Sequence, residues 1–194
     1  MPLEIAHALT ASRLAALRAQ LAPLLPADRP VTLEIGSGHG HFLTAYAAAH
    51  PERFCIGIDL LADRLARSAR KSDRARLSNI AWLHAEARLF LEALPAGTLL
   101  SEIFVLFSDP WPKRRHWKNR VIQPGFLDLL AGRAGEGARL YFRTDHAPYF
   151  EQAGNFIDRH PDWSLEPEAP WPFELPTVFQ QRALHHQSLV ARKG

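Results

Sequence analysis

The sequence predicts an α/β protein built on a doubly wound, mostly parallel sheet with helices on both faces. Three observations predict it. Short apolar β-type runs alternate with helical stretches along the chain, the pattern of βαβ units. The first run flows straight into three glycines at alternate positions and then into a helix. The fourth run, Ile103-Phe-Val-Leu-Phe107, is continuously apolar, as for a strand covered on both faces.

Leu3 to Leu25 reads as a helix with Leu9, Leu14, Leu17 and Leu21 at helical spacing, closed by Pro23 and Pro26. Val31 to Ile35 is the first strand, and Gly40 to His50 the helix that follows it, ahead of Pro51. Phe54 to Ile58 is a second strand, and Leu60 to Arg76 a basic amphipathic helix. A third strand spans Ile80 to His84, with a short helix from Glu86 to Leu94. After the apolar fourth strand and a polar loop come a helix over Pro124 to Ala134, a strand over Ala138 to Arg143 and a helix over Tyr149 to Arg159. Pro161 to Pro176, with five prolines and two tryptophans, reads as a stiff loop. Trp82, Phe104 and Phe107 are expected in the sheet core, His84 as a core histidine and Cys55 as inert within a buried strand.

The 194 residues, 47% hydrophobic and 22% charged, fit one globular domain. A single cysteine excludes an internal disulfide framework, and His185 and His186 have no company that would make a metal site. No apolar run approaches the ~20 residues of a membrane span, and the N-terminus lacks the form of a secretory signal. A cytoplasmic monomer with no metal and no membrane contact is expected. The net charge is only +3, yet it is segregated: Asp63 to Arg76 and Asp109 to Arg120 each carry a local +4, while Asp145 to Pro176 is acidic. Nineteen of the 23 basic residues are arginine, and that abundance alone is no argument for a nucleic-acid partner.

Glu34-Ile-Gly36-Ser-Gly38-His-Gly40 sits where open α/β sheets bind ligands, at the carboxyl end of a strand. The second strand ends in Gly57-Ile-Asp59, an acid placed to accept from ribose hydroxyls. A carboxylate just before the glycines would repel a pyrophosphate but can hold the loop or an ammonium group. That favours S-adenosylmethionine over a dinucleotide. Glu86, at the end of the third strand, can accept from an adenine amino group or simply start a helix.

Phe107-Ser-Asp109-Pro-Trp-Pro-Lys113-Arg-Arg-His-Trp117-Lys-Asn-Arg120 is the most unusual segment. Prolines at 110 and 112 stiffen its root and fix one carboxylate, Asp109, beside the glycine loop. Lys113, Arg114, Arg115, Lys118 and Arg120, interleaved with aromatics, are what a structured RNA ligand requires: cations for phosphates, rings for stacking.

These motifs, with Arg143-Thr-Asp145 and Thr177-Val-Phe-Gln180, come in the order of the tRNA (guanine-N7)-methyltransferase family, which the chain resembles from about Leu33 onward. The resemblance implies a Rossmann-like class I methyltransferase with a seven-stranded sheet, a helical extension over 1–28 and the methyltransferase domain over 29–194. It implies S-adenosylmethionine as cofactor and tRNA as partner, with a variable-loop guanine methylated at N7. Carried over residue by residue, it places Glu34, Gly36, Gly38, Gly40, Asp59, Glu86 and Asp109 at the cofactor, with Asp109 also catalytic. Lys113, Asp145, Thr177 and Gln180 would face the guanosine, and Arg114, Arg115, Lys118 and Arg120 the tRNA backbone. The family usually ends its late motif in glutamate; here Gln180 offers one acceptor oxygen and a donor NH₂ instead. Asp59 and Glu86 also exchange the commoner Glu and Asp. Two other readings stay open: an RNA-binding relative without turnover, and a methyltransferase of small molecules or proteins.

Overall fold

The structure, a computed structural model, describes residues 3–26, 29–175 and 185–194. Five strands run parallel: β1 (Val31–Ile35), β2 (Phe54–Asp59), β3 (Ile80–His84), β4 (Leu100–Leu106) and β5 (Ala134–Thr144). Two more close the sheet antiparallel, β6 (Trp163–Leu165) and β7 (Gln187–Lys193), giving the order β3-β2-β1-β4-β5-β7-β6. The doubly wound α/β prediction therefore holds, with seven strands.

The local chemistry explains the elements between them. Helix α1 (Leu3–Leu21) ends short of the predicted Leu25, where Pro23 follows. Helix α2 (His41–Ala49) starts at Gly40 and α3 (Ala62–Arg74) follows β2. Glu86 caps α4 (Ala87–Ala93), its carboxylate accepting from the Leu89 N–H at 3.0 Å. Pro124 occupies the first turn of α5 (Pro124–Ala131), and His146 caps α6 (Ala147–Asp158). The polar loop after β4 contains a 3₁₀ helix over Arg114–Asn119.

Alternation within the central strands sorts side chains to two cores. On one face Leu33 and Ile35 of β1 and Ile103 and Val105 of β4 pack with Leu17 and Leu21 of α1 and Phe90 of α4. On the other, Phe104 meets Phe42 and Tyr46 of α2 and Tyr141 of β5, with Trp171 and Phe173 covering the layer. Glu34 and Thr32 point to this second face and are fully enclosed. Buried Glu102 there accepts from the Tyr46 hydroxyl and from Thr32 at 3.4 Å, and pairs with Arg53 at 3.0 Å.

Three expectations need correction, and one further strand appears. The segment after Pro161 is not all loop, because Trp163, 2% exposed, anchors β6 against α5 and α6. β7, which the local sequence pattern does not announce, pairs with β5 from Gln187 to Arg192. Phe107 falls beyond β4 with a left-handed φ of 51°, half-buried rather than in the core. His84, on the edge strand, is exposed and bonds the Leu60 carbonyl at 2.9 Å. Among the described residues no helix is long and apolar enough to cross a membrane.

Phe104 stacks on Tyr141 at 4.8 Å and lies 4.9 Å from Phe42 and 5.2 Å from Tyr46, with no exposed surface. Phe104→Ala should cost about 3–5 kcal/mol in urea unfolding, the loss expected of a large buried ring.

Candidate functional site

The sheet order reverses between β2-β1 and β4-β5, so the loops after β1 and β4 diverge and leave a crevice at their carboxyl ends. The crevice has a volume of about 590 Å³, within the range of small-molecule sites. Its wall takes Gly36 from the glycine loop, Asp59 from the end of β2, Glu86 from the cap of α4 and Asp109 from the loop after β4.

Gly36, Gly38 and Gly40 all hold positive φ, between 54° and 74°. At Gly36 the bend lets its N–H and that of Ser37 both donate to the Ile58 carbonyl, at 2.9 and 3.0 Å. At Gly40 a side chain has no room, since a Cβ there would lie 2.6 Å from Trp82 and 2.7 Å from Ser68. Gly57 is equally constrained: a Cβ would lie 2.3 Å from the Trp82 ring. Asp59 locks this loop to β2 by accepting from the Gly38 N–H at 2.9 Å and the Leu61 N–H at 2.8 Å. Each carboxylate oxygen keeps a further lone pair for a ligand.

Glu34, Gly38 and Gly40 do not line the crevice. Glu34 lies one layer below, 4% exposed, where its carboxylate accepts from the Leu43 N–H and so ties β1 to α2. Burial, with a smaller contribution from Asp59, pushes its pKa up to about 8. Its Oε2 has no hydrogen-bond partner among the described residues. Of the two roles expected for this acid, the geometry gives it the loop.

The loop after β4 is strained. Phe107 and Trp111, bulky residues on either side of Asp109, have φ of 51° and 44°, a region such side chains rarely adopt. Arg120 holds it there. Its guanidinium stacks on Trp117 at 4.4 Å and Tyr149 at 4.9 Å, donates to the Pro110 carbonyl at 2.7 Å and reaches Gln152 at 2.6 Å. Arg120 is only 2% exposed, so its expected place on tRNA phosphates is wrong: it is an internal clamp for the Asp-Pro-Trp-Pro turn. The alternation of cations and rings that pointed to RNA was, at this residue, a cation–π sandwich.

Lys113, Arg114, Arg115 and Lys118 are exposed, and Lys118 lines the crevice. Lys113 and Asp145 are exposed but do not line it; Asp145 follows the end of β5. Thr177 and Gln180 lie outside the described residues. Next to them in sequence, Glu174 forms a two-pronged pair with Arg143, at 2.9 and 3.1 Å, beneath which Trp171 lies 3.9 Å from the guanidinium. Sequence reasoning missed this clamp, and missed Arg64 and Arg88 as crevice residues. Helical spacing would have found them, because each lies in the first turn or so after a strand's end. No cluster of potential metal ligands exists among the described residues.

The raised pKa of Glu34 sets a pH dependence. Between the ordinary 4.5 and about 8 the native state holds a proton that the unfolded chain releases, so stability falls as pH rises through this window. The slope from this group is up to about 1.4 kcal/mol per pH unit. Glu34→Gln, which keeps the acceptor for Leu43, should flatten the decline in melting temperature across that window; an unchanged slope would assign it to other groups.

Residues 28–192 match the model of the family Methyltransf_4, described as "Putative methyltransferase". The tRNA (guanine-N(7)-)-methyltransferase of Listeria monocytogenes is 38% identical over 124 residues, covering 64% of this chain and 58% of the relative. That of Streptomyces coelicolor is 38% identical over 143 residues, covering 74% and 53%. The chain thus spans a little over half the length of these relatives. Among solved structures, the aminoglycoside resistance methyltransferase NpmB1 shares the fold at a TM-score of 0.60 and 17% identity, over 91% of this chain and 93% of that one. The seven-stranded order, the glycine loop opening on the crevice and a family match running from just before β1 into β7 converge: the chain belongs to the Methyltransf_4 family of methyltransferases and has the class I methyltransferase fold.

Proposed function

We propose that the chain is a cytoplasmic, S-adenosylmethionine-dependent enzyme that methylates guanine N7 in tRNA. One observation carries the reading. Asp109 lines the crevice on a strained, clamped turn whose continuation exposes Lys113, Arg114, Arg115 and Lys118. A carboxylate facing a cofactor-sized cavity is thereby joined, within a few residues, to a surface suited to phosphates. The family membership and the activity for which the Listeria and Streptomyces relatives are named support the same reading.

The residues fit the cofactor. Asp59 and Glu86 offer acceptors for ribose hydroxyls and an adenine amino group, while Ile58, Leu61 and Ala85 give an apolar surface between them. Glu34, with its unpartnered Oε2, lies beneath the glycine loop and ties it to α2 through the Leu43 N–H. When bound, S-adenosylmethionine supplies an activated methyl on a sulfonium. The protein's part is then alignment. Guanine N7 has an in-plane lone pair and no proton to remove, so holding it in line is the main contribution. Asp109, fixed by Arg120, faces the positive charge that methylation places on the purine and accepts from guanine N–H groups. Asp145 and Gln180 belong to the same recognition, and the exposed cations hold the backbone around a base taken out of its stack.

Mass spectrometry of unmodified tRNA incubated with the protein and S-adenosylmethionine should show 7-methylguanosine. Asp109→Asn should lower its formation by about a hundredfold or more with the fold intact. No product from full-length tRNA, despite measurable cofactor binding, would overturn the reading in favour of an RNA-binding relative without turnover. Gln180 is the residue that favours this second reading, and Gln180→Glu should raise the rate if the amide weakens guanine binding.

A further inference from the structure

Helix α3 carries a row of cations that the cofactor crevice does not use. Arg67, Arg70, Lys71 and Arg74 alone line a surface hollow of about 260 Å³. Their spacing puts them on one face of the helix. Arg64, one turn earlier, continues the row into the wall of the crevice opposite Lys118. Arg64, Arg67, Lys71 and Arg74 therefore form a line about 15 Å long at 1.5 Å per residue.

The helix carries only two acids, Asp63 and Asp73, against this row. None of its members makes an ion pair among the described residues. Arg70 donates only to a carbonyl of its own helix, and Lys71 donates to the His39 carbonyl of the glycine loop at 2.7 Å. The field is felt by that loop: burial first, then Arg67, Arg64 and Lys71, hold His39 below the usual histidine range. Like charges packed this closely repel unless an anion joins them. The exposed apolar residues nearest the row, Leu60 and Leu61 at the head of the helix, belong to the crevice wall rather than to the cationic face. Leu65 is turned into the core at 7% exposure, and no large apolar side chain of α3 is exposed. A linear polyanion with regularly repeated charges is the complementary partner.

We infer that the α3 row is a second tRNA-backbone contact, which tracks a phosphodiester strand from the crevice mouth along the helix, on the other side of the crevice from Lys113 to Lys118. The inference rests on RNA as the substrate class proposed above. With it the reacting base is held between two cationic rails rather than from one side. Because Lys71 is bonded to the glycine loop, the strand on this rail bears directly on the loop that borders the cofactor.

The test is filter binding of the full chain to an unmodified tRNA transcript between about 50 and 200 mM salt, which needs no turnover. Arg67→Glu, Arg70→Glu and Arg74→Glu combined, at three exposed positions outside the crevice, should weaken tRNA binding at least about tenfold at the upper salt and make the salt slope shallower by about 2. Cofactor affinity should stay unchanged. The corresponding triple glutamine variant should show a smaller effect in the same direction, which separates lost charge from lost fold. Equal affinity and equal slope in the variants would overturn the inference. So would a loss of binding to phosphatidylserine vesicles with tRNA binding intact. Wild-type protein that binds tRNA through this row yet yields no 7-methylguanosine would overturn the proposed reaction and uphold this contact.

Discussion

The reversal of strand order between β1 and β4 is the constraint on which the rest depends. A parallel sheet must send every crossover back over one face or the other, and where the direction changes, two adjacent loops part. Here the parted loops are the glycine turn and the Asp-Pro-Trp-Pro turn. Each is then held by one dedicated ionic side chain. Asp59 accepts from the Gly38 N–H on the glycine side and from the Leu61 N–H just past its own strand, and Arg120 reaches back to the Pro110 carbonyl on the other. The crevice is a product of topology; its shape is a product of these two anchors.

Much of this was legible in the sequence. β1 and β2 are buried through their length, so their apolar runs stand out against the helices between them, and β1 and the edge strand β3 fall where expected. The acids at the ends of β2 and β4 were legible because a carboxylate just past an apolar strand has only the ligand side to occupy. The antiparallel strands were not. β6 spans only Trp163–Leu165, and β7 opens with Gln187 and Ser188 and ends in Arg192 and Lys193. β7 is fixed by pairing with β5 and β6 by pairing with β7, long-range partners that no local pattern reveals.

The site was misread where one residue type serves two physics. An arginine in a basic run reads as a phosphate ligand, yet Arg120 is the one whose neighbours in space, Trp117 and Tyr149, come from different segments. Arg143 is also a clamp: it sits near the end of β5, is nearly buried, and grips Glu174 thirty-one positions away. Exposure, the quantity that separates a clamp from a contact, is set by tertiary packing. Phe107 shows the converse, an apolar residue at a strand's end that packing turns out into the crevice.

Trp82 lies on the edge strand, away from the crevice, with its indole nitrogen bonded to Ser72 at 3.1 Å. Its ring fills the space that side chains at both Gly40 and Gly57 would need. These three positions therefore share one fixed volume. Enlargement at 57 is sterically admissible only with shrinkage at 82, and the backbone conformation of Gly40 forbids the same exchange there. The tolerance of the cofactor loop to change is thus set partly by a residue on the far rim of the sheet. A side chain at position 57 therefore presupposes a smaller residue at 82, whereas Gly57 places no such demand on Trp82.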